Sequence, residues 1–203
     1  MGDSDSALVD ALRAGDEAAF VTLVRRYHTR MLRFAETLVP SRAVAEEVVQ
    51  DTWLGVVRGI HGFEGRSSVR TWLFRVLINR ARSAGAHEHR NVPLEDENLL
   101  AGRFAANGHW NQALEPWSER IESQLTAERV TRRVRESLHQ LPPVQRQVLT
   151  LRDIEGVDAV DTCELLGVSM NNQRVLLHRA RASVRARLEA YFETAAAHPG
   201  GNR

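Results

Sequence analysis

The sequence predicts an all-α protein of two helical domains joined by an acidic linker. Apolar residues recur every three or four positions, which is the helical period, and almost no segment alternates with the period of two expected of strands. Serine or aspartate precedes several periodic segments as a candidate N-cap, and glycine or proline separates them. The predicted domains cover 10–84 and 123–192, with the linker at 85–122 and a disordered tail at 193–203.

Two helices are predicted before Pro40. The first begins near Asp16, which follows Gly15 and is placed to cap a helix. The second runs from about 31 to 38 and stops there, because the residue before a proline disfavours the helical conformation. The first helix would bury Phe20, Leu23, Val24 and Tyr27.

Two further helices are predicted in the first domain. The third begins near Ser41, and the fourth runs from Ser68 to about Arg82 after a loop with three glycines. The third would bury a wide stripe of Val48, Val49, Thr52, Trp53, Val56 and Val57. The fourth would bury Val69, Trp72, Leu73 and Val76. Trp72 lies within that stripe, which favours a core position over a surface platform for stacking bases.

The linker carries seven acids against three arginines, a net charge of −4 (3 − 7). Proline and glycine interrupt it, yet its apolar residues include five that predict docking on this protein or on a partner: Leu99, Leu100, Phe104, Trp110 and Trp117. Helices resume near Ser123, with breaks at 142–143 and 155–156.

The segment after the second break is typical of a helix-turn-helix DNA reader. Asp158 to Leu166 forms a short helix, and Gly167 can take the positive φ of a helix C-cap. Ser169 is placed to cap a second helix that begins at Met170. Five arginines and no acid lie between 168 and 187, which favours contact with a phosphate backbone.

Composition excludes several classes of protein. The formal net charge is only +1, so a nucleic-acid surface must come from local clustering of the 27 basic residues, all of them arginine. Cys163 alone cannot form an internal disulfide or a cysteine-based zinc site. No apolar run predicts a membrane span and no signal peptide is recognised, so a cytoplasmic protein is expected. No phosphate loop, nucleophile elbow or catalytic carboxylate pair is present, so we expect no enzyme activity, metal or cofactor.

Two segments carry a resemblance to a known family. Residues 45–83 read AEEVVQDTWLGVVRGIHGFEGRSSVRTWLFRVLINRARS. Residues 141–168 read LPPVQRQVLTLRDIEGVDAVDTCELLGV, and RVLLHRARASVR follows at 174–185. In this order the segments resemble the bacterial extracytoplasmic-function (ECF) sigma factors, two-domain members of the sigma-70 family. The resemblance implies an alternative sigma factor that binds core RNA polymerase and directs promoter-specific transcription initiation.

The resemblance places polymerase binding on the third helix and recognition of the promoter −10 element on the fourth. The contact with the polymerase clamp falls on the face opposite the buried stripe: Glu47, Gln50, Asp51, Leu54 and Arg58. By spacing alone, a solvated helix face fits these residues equally well. Reading and melting of the −10 element falls on Phe63, Arg66, Ser67, Thr71, Arg75, Asn79 and Arg82. An extruded base needs stacking and hydrogen bonds to offset the loss of its neighbours.

The resemblance places recognition of the −35 duplex on the helix from Met170. The implied contacts are Asn171, Asn172, Arg174, Val175, His178 and Arg179. Arginine and asparagine pair with guanine and adenine in the major groove, whereas Arg179 is placed to hold a phosphate. Leu177, Ala180, Val184 and Leu188 are expected to face inward. Val175 and Leu176 stand where many members have serine and a basic residue, so the family's −35 sequence cannot be carried over.

The implied partners are the clamp and flap regions of core RNA polymerase, promoter DNA and an anti-sigma factor that masks the DNA-binding surfaces. The acidic linker could mimic nucleic acid within the polymerase channel through its negative charge, or it could simply tether the two domains. The alternative function is a free-standing helix-turn-helix regulator. That alternative leaves two features unexplained. One is the acidic face of the third helix, and the other is the stripe that helical spacing places on the fourth: Thr71, Arg75, Asn79 and Arg82.

Overall fold

The computed structural model of the protein describes the backbone of residues 3–85 and 127–197, and the side chains of 7–85 and 131–192. The predicted linker lies outside these residues except for Gly85, and so do the five apolar residues predicted to dock and the last six residues of the chain, 198–203.

Eight α-helices make up the described part of the chain. In order they are α1 (Asp3–Arg13), α2 (Glu17–Ala35), α3 (Arg42–Gly59), α4 (Val69–Ser83), α5 (Ala127–His139), α6 (Pro143–Leu149), α7 (Ala159–Leu166) and α8 (Met170–Ala197). A 3₁₀ turn, Ile60–Gly62, follows α3, and a π-helical turn, Thr150–Ile154, follows α6. The described ranges contain no strand, and the predicted all-α class is confirmed. None of these helices is long and apolar enough to cross a membrane.

Polar side chains cap the helices at the predicted positions. Asp16, Ser41, Ser68, Asp158 and Ser169 each accept a hydrogen bond from a backbone N–H two or three residues further on. Such a bond satisfies one of the amides that the first turn leaves without a partner, and its loss costs about 1 kcal/mol.

The predicted division between the first and second helices is wrong. Helix α2 is continuous, because neither glycine nor proline interrupts it. Met31 and Phe34 extend the buried stripe that Leu23 and Tyr27 begin, so the whole helix gains from packing.

Both ends of the chain are more helical than predicted. Helix α1 precedes the first predicted helix, and its residues Val9 and Leu12 are buried. At the other end, α8 continues to Ala197, through five residues that were expected to belong to the disordered tail.

The described residues divide into two compact units. The first contains the residues up to 85 together with Thr150–Val168, and the second contains 127–149 and 169–197. In the first unit, Phe34 and Phe74 pack edge to face with ring centroids 5.2 Å apart. Leu151, Val157 and Leu165 belong to the same apolar core, so α7 and the turn before it are packed into the first unit.

In the second unit, α5 and α6 both pack against α8. Leu177, Ala180 and Leu188 are buried as predicted, and Val184 is half-buried. Leu176 is buried as well, although the sequence reading did not place it inside. The Arg133 guanidinium lies over the Tyr191 ring, 4.3 Å from its centroid.

Candidate nucleic-acid interface

Helix α4 presents a basic surface that we call the α4 stripe, defined by Arg75, Asn79 and Arg82. All three residues are exposed, and their spacing places them along one side of the helix. Thr71, predicted to extend this stripe, is only 3% exposed. Its hydroxyl lies 3.0 Å from the Ser68 hydroxyl, which also accepts the Thr71 N–H at 3.0 Å. Thr71 therefore lies beneath the surface that the stripe forms.

The loop before α4 is braced from both sides. Phe63 is 4% exposed, with its ring centroid 5.2 Å from that of Trp72. Trp72 packs against the core, as predicted. The Arg13 guanidinium donates to the Phe63 carbonyl oxygen, which ties α1 to the loop. Of the other predicted contacts, Arg66 is exposed and paired with Glu64, and Ser67 is half-buried. The Phe63 ring is thus held inside the fold, while Arg66 stays at the surface.

Acidic and carbonyl groups of α7 meet the α4 stripe within the first unit. Arg75 Nη2 lies 2.9 Å from Glu164 Oε2 and 3.9 Å from Asp161 Oδ1. Arg82 Nη2 donates to the Leu165 carbonyl oxygen at 2.8 Å. Arg75 and Arg82, two of the arginines predicted to bind DNA, therefore have partners on α7, some 83 to 89 residues away in sequence.

Glu155, in the turn before α7, is a buried acid. It is 2% exposed, and its Oε2 lies 3.6 Å from Arg30 Nη1. Its backbone carbonyl accepts a hydrogen bond from Arg70. Burial raises the pKa of Glu155, and the nearby Arg30 and Arg70 oppose that shift. Sequence reasoning recognised 155–156 only as a helix break, because a buried charge pair between distant segments leaves no local pattern.

Burial also raises the pKa of Asp161 on α7, with a further contribution from Asp158. A hydrogen bond with Thr71 and the charge of Arg75 oppose this shift. The carboxyl therefore contacts two residues of α4 at once, one of them buried and one on the stripe.

The outer face of α3 carries the predicted polymerase-binding residues. Glu47, Gln50, Asp51, Leu54 and Arg58 are all exposed. The prediction that Val57 is buried is wrong, since Val57 is 53% exposed beside Leu54 at 55%. At 100° per residue, Val57 lies about 110° from the centre of the buried stripe, so the helical angle would have found it. The outer face of α3 thus presents two exposed aliphatic side chains, Leu54 and Val57, with acidic residues beside them.

Helix α8 begins directly after the turn that ends α7. Gly167 has φ 69° and ψ 32°, and the N–H groups of Gly167 and Val168 donate to the Cys163 carbonyl at 2.9 and 3.1 Å. The Ser169 hydroxyl accepts the Asn172 N–H at 3.2 Å. The left-handed residue is the glycine that the sequence predicted, so the helix, turn and helix all lie where they were expected.

The first turns of α8 bring the predicted −35 residues together on one segment. Asn171 and Arg174 are exposed, whereas Asn172, Val175, His178 and Arg179 are half-buried. Burial lowers the pKa of His178, and the charge of Arg181 lowers it further. A neutral imidazole can donate one hydrogen bond and accept another.

Sequence reasoning missed Gln173, which lies between these contacts and is almost fully buried. Its side chain therefore does not belong to the exposed surface that Asn171 and Arg174 form. Within the described ranges, no cluster of three or more histidine, cysteine or acidic side chains is placed to hold a metal ion.

Comparison with known families matches two segments of the chain. The model of Sigma-70 region 2 matches residues 23–90, and the model of Sigma-70 region 4 matches 131–184. These paired matches define a promoter-recognition subunit of the sigma-70 class. Among relatives, the ECF RNA polymerase sigma-E factor of Haemophilus influenzae is 30% identical over 189 residues, covering 92% of this chain and 96% of the relative. The ECF RNA polymerase sigma factor SigM of Mycobacterium tuberculosis is 31% identical over 193 residues, covering 94% and 87%.

This chain belongs to the ECF RNA polymerase sigma factors of the sigma-70 family. The resemblance drawn from the sequence is therefore confirmed.

Two solved structures share the fold. A chain in the structure of CnrH with the cytosolic domain of CnrY has a TM-score of 0.54 at 24% identity, covering 93% of this chain and 99% of that one. A chain in the complex of sigma factor RpoE with anti-sigma factor NepR from Bartonella quintana has a TM-score of 0.51 at 20% identity, covering 84% and 96%.

Proposed function

We propose that this sigma factor divides polymerase binding and promoter recognition among three of its surfaces. The outer face of α3 binds core RNA polymerase, the α4 stripe with its loop reads the −10 element, and the first turns of α8 read the −35 element. The observation that carries the proposal is the separation of charge. Segments 66–82 and 168–187 each hold five arginines and no acid, whereas the outer face of α3 presents acids around exposed aliphatic side chains.

The polymerase surface is argued from its mixture of side chains. Leu54 and Val57 expose apolar area that a monomer gains nothing by exposing, and Glu47 and Asp51 border it. An apolar centre with a charged rim is the usual composition of a specific protein interface. Gln50 and Arg58 complete the rim, and the partner would be the clamp of the polymerase.

The −10 surface is argued from the α4 stripe and from Arg66. Their guanidinium groups suit the phosphates of a single strand, and Asn79 offers donors and acceptors to a base edge. Thr71, Ser67 and Phe63 belong to the same surface in this proposal. Thr71 and Phe63 support it from the buried side, where they fix the start of α4 and the loop before it.

The −35 surface is argued from the first turns of α8. Arg174 and Asn171 are exposed near the helix N-terminus and can reach base edges in the major groove. Asn172, Val175 and His178 border them, and Arg179 is placed to hold a phosphate. The likeness of the fold to a sigma factor in complex with an anti-sigma factor supports such a regulator as a further partner.

The protein acts by binding in this proposal, not by catalysis, and works in the cytoplasm alongside the polymerase. The family to which it belongs consists of sigma factors.

Two variants test the division of labour. Asp51→Ala should weaken binding to core polymerase and leave binding of a −35 duplex unchanged, because Asp51 lies on the outer face of α3. Arg174→Ala should do the reverse, with a loss of about 1–3 kcal/mol in −35 discrimination. The duplex would be selected from a randomised pool by the purified full chain, and polymerase binding measured by fluorescence anisotropy.

Matched controls exist for both changes. Glu17→Ala removes an exposed acid from α2, and Arg185→Ala removes an arginine that Glu189 already pairs with at 2.5 Å. Neither control should change either activity. If Asp51→Ala and Arg174→Ala lost the same activity to the same degree, the proposed separation would be refuted.

A further inference from the structure

We infer that α7 is an internal competitor of promoter DNA: it occupies the α4 stripe, so the chain must release α7 before it binds the −10 strand. This inference rests on the proposed role of the stripe. It adds that the free chain exists in a closed state with lowered affinity for single-stranded DNA.

The competition is argued first from the atoms involved. The Arg75 guanidinium faces Glu164 at 2.9 Å and Asp161 at 3.9 Å, so two carboxylates occupy the position that a phosphate would take. Arg82 Nη2 donates to the Leu165 carbonyl at 2.8 Å, as it would to a phosphate oxygen. A guanidinium donor that is already used in this way cannot also bind the strand.

The contact is more than a pair of surface charges. Leu165 and Val157 are buried in the same core as the helices of the first unit. Arg70 donates to the Glu155 carbonyl, and the carboxylate of Glu155 lies near Arg30. Apolar burial therefore holds α7 in register while the acids match the arginines. The local fit is close, since a Cβ added at Gly156 would lie 3.1 Å from Arg70 Nη1.

The closed state must nevertheless be easy to open. Glu164 is exposed and Asp161 is half-buried at 3.9 Å from Arg75, and ion pairs of this kind contribute little, up to about fivefold each in an equilibrium constant. The observed affinity for DNA is reduced by the fraction of molecules that are open. Removing both acids of α7 should therefore raise the affinity for single-stranded DNA by about 2- to 20-fold.

The test uses the full chain with Asp161→Asn and Glu164→Gln together. The probe is fluorescein-labelled single-stranded DNA of randomised sequence, and binding is followed by anisotropy. The control is Asp10→Asn with Glu46→Gln, which changes the net charge equally but removes acids that pair locally with Arg13 and Arg42. Hydrogen exchange of the α7 amides reports opening without any DNA.

We expect the α7 double variant to bind DNA more tightly than both the wild type and the control, with faster exchange in α7. Adding Arg82→Ala to the double variant should then reverse the gain. Unchanged affinity with unchanged exchange would overturn the inference and leave the proposed function intact. Faster exchange with unchanged affinity, or a gain that Arg82→Ala does not reverse, would mean that the stripe does not bind DNA, and the proposed function would fail with the inference.

Discussion

Replacing Gly167 by alanine isolates the energy of one backbone conformation in the turn between α7 and α8. Gly167 has φ 69° and ψ 32°, and no atom lies within 4 Å of a Cβ built on it. The substitution therefore creates no clash, and its cost is that of the left-handed conformation, about 1–2 kcal/mol. Alanine also reduces the conformational entropy of the unfolded chain, which offsets about 0.4–1 kcal/mol of this loss in stability. A net loss of about 1 kcal/mol is expected.

Gly62 provides the matched control. A Cβ at Gly62 also meets nothing within 4 Å, but its φ is not positive, and it lies in the same compact unit. Gly62→Ala should consequently stabilise the chain by about 0.4–1 kcal/mol through the unfolded state alone.

The free energy of unfolding of each variant would be measured by urea denaturation, with circular dichroism as the signal. Gly167→Ala should be less stable than the wild type and Gly62→Ala more stable, so that their free energies of unfolding differ from each other by about 1.5 kcal/mol. Gly167→Asn should fall between them, because asparagine tolerates the left-handed region. Equal effects of the two alanine substitutions would show that the turn does not have the conformation described.

Three further changes test other parts of the fold. Burial raises the pKa of Glu155 above its ordinary 4.5, so its contribution to stability is present at low pH and is lost as the pH rises through the folded pKa. Glu155→Gln should remove the part of the decline in urea midpoint with rising pH that Glu155 causes. Identical profiles of urea midpoint against pH for the variant and the wild type would contradict the burial of Glu155. Phe74→Ala should cost about 3–5 kcal/mol, because the ring is fully buried against α2. Ser68→Ala should lower the free energy of unfolding by about 1 kcal/mol by removing the cap of α4, whereas Ser83→Ala, at an exposed position, should leave it unchanged.

Local sequence signals predicted the helix starts well. Asp16, Ser41, Ser68, Asp158 and Ser169 all precede helices, because the hydroxyl or carboxylate that caps a first turn belongs to a neighbour in sequence. The predicted turn glycine, which has the left-handed φ, follows from the same short-range chemistry. The break placed inside α2 was wrong for the complementary reason: neither glycine nor proline lies between Tyr27 and Met31.

Contacts between distant segments could not be predicted in this way. The pairing of Arg75 with Glu164 joins positions 89 residues apart, and each side chain alone is an ordinary exposed charge. Thr71 was expected at the surface because it follows the spacing of Arg75 and Asn79, and Phe63 because the resemblance placed it at the −10 surface, yet both are buried. Spacing defines a face of one helix, but burial depends on which other helix covers that face. The roles assigned to these residues in DNA binding stay predictions.

Transcription in vitro shows whether this chain directs RNA polymerase to promoters. Bacterial core polymerase free of other sigma factors would be given a library of genomic fragments with and without the protein. We expect new transcripts that start downstream of a shared pair of −35 and −10 sequences. If the protein bound DNA but produced no new transcripts, it would be a free-standing regulator and the claim would be contradicted.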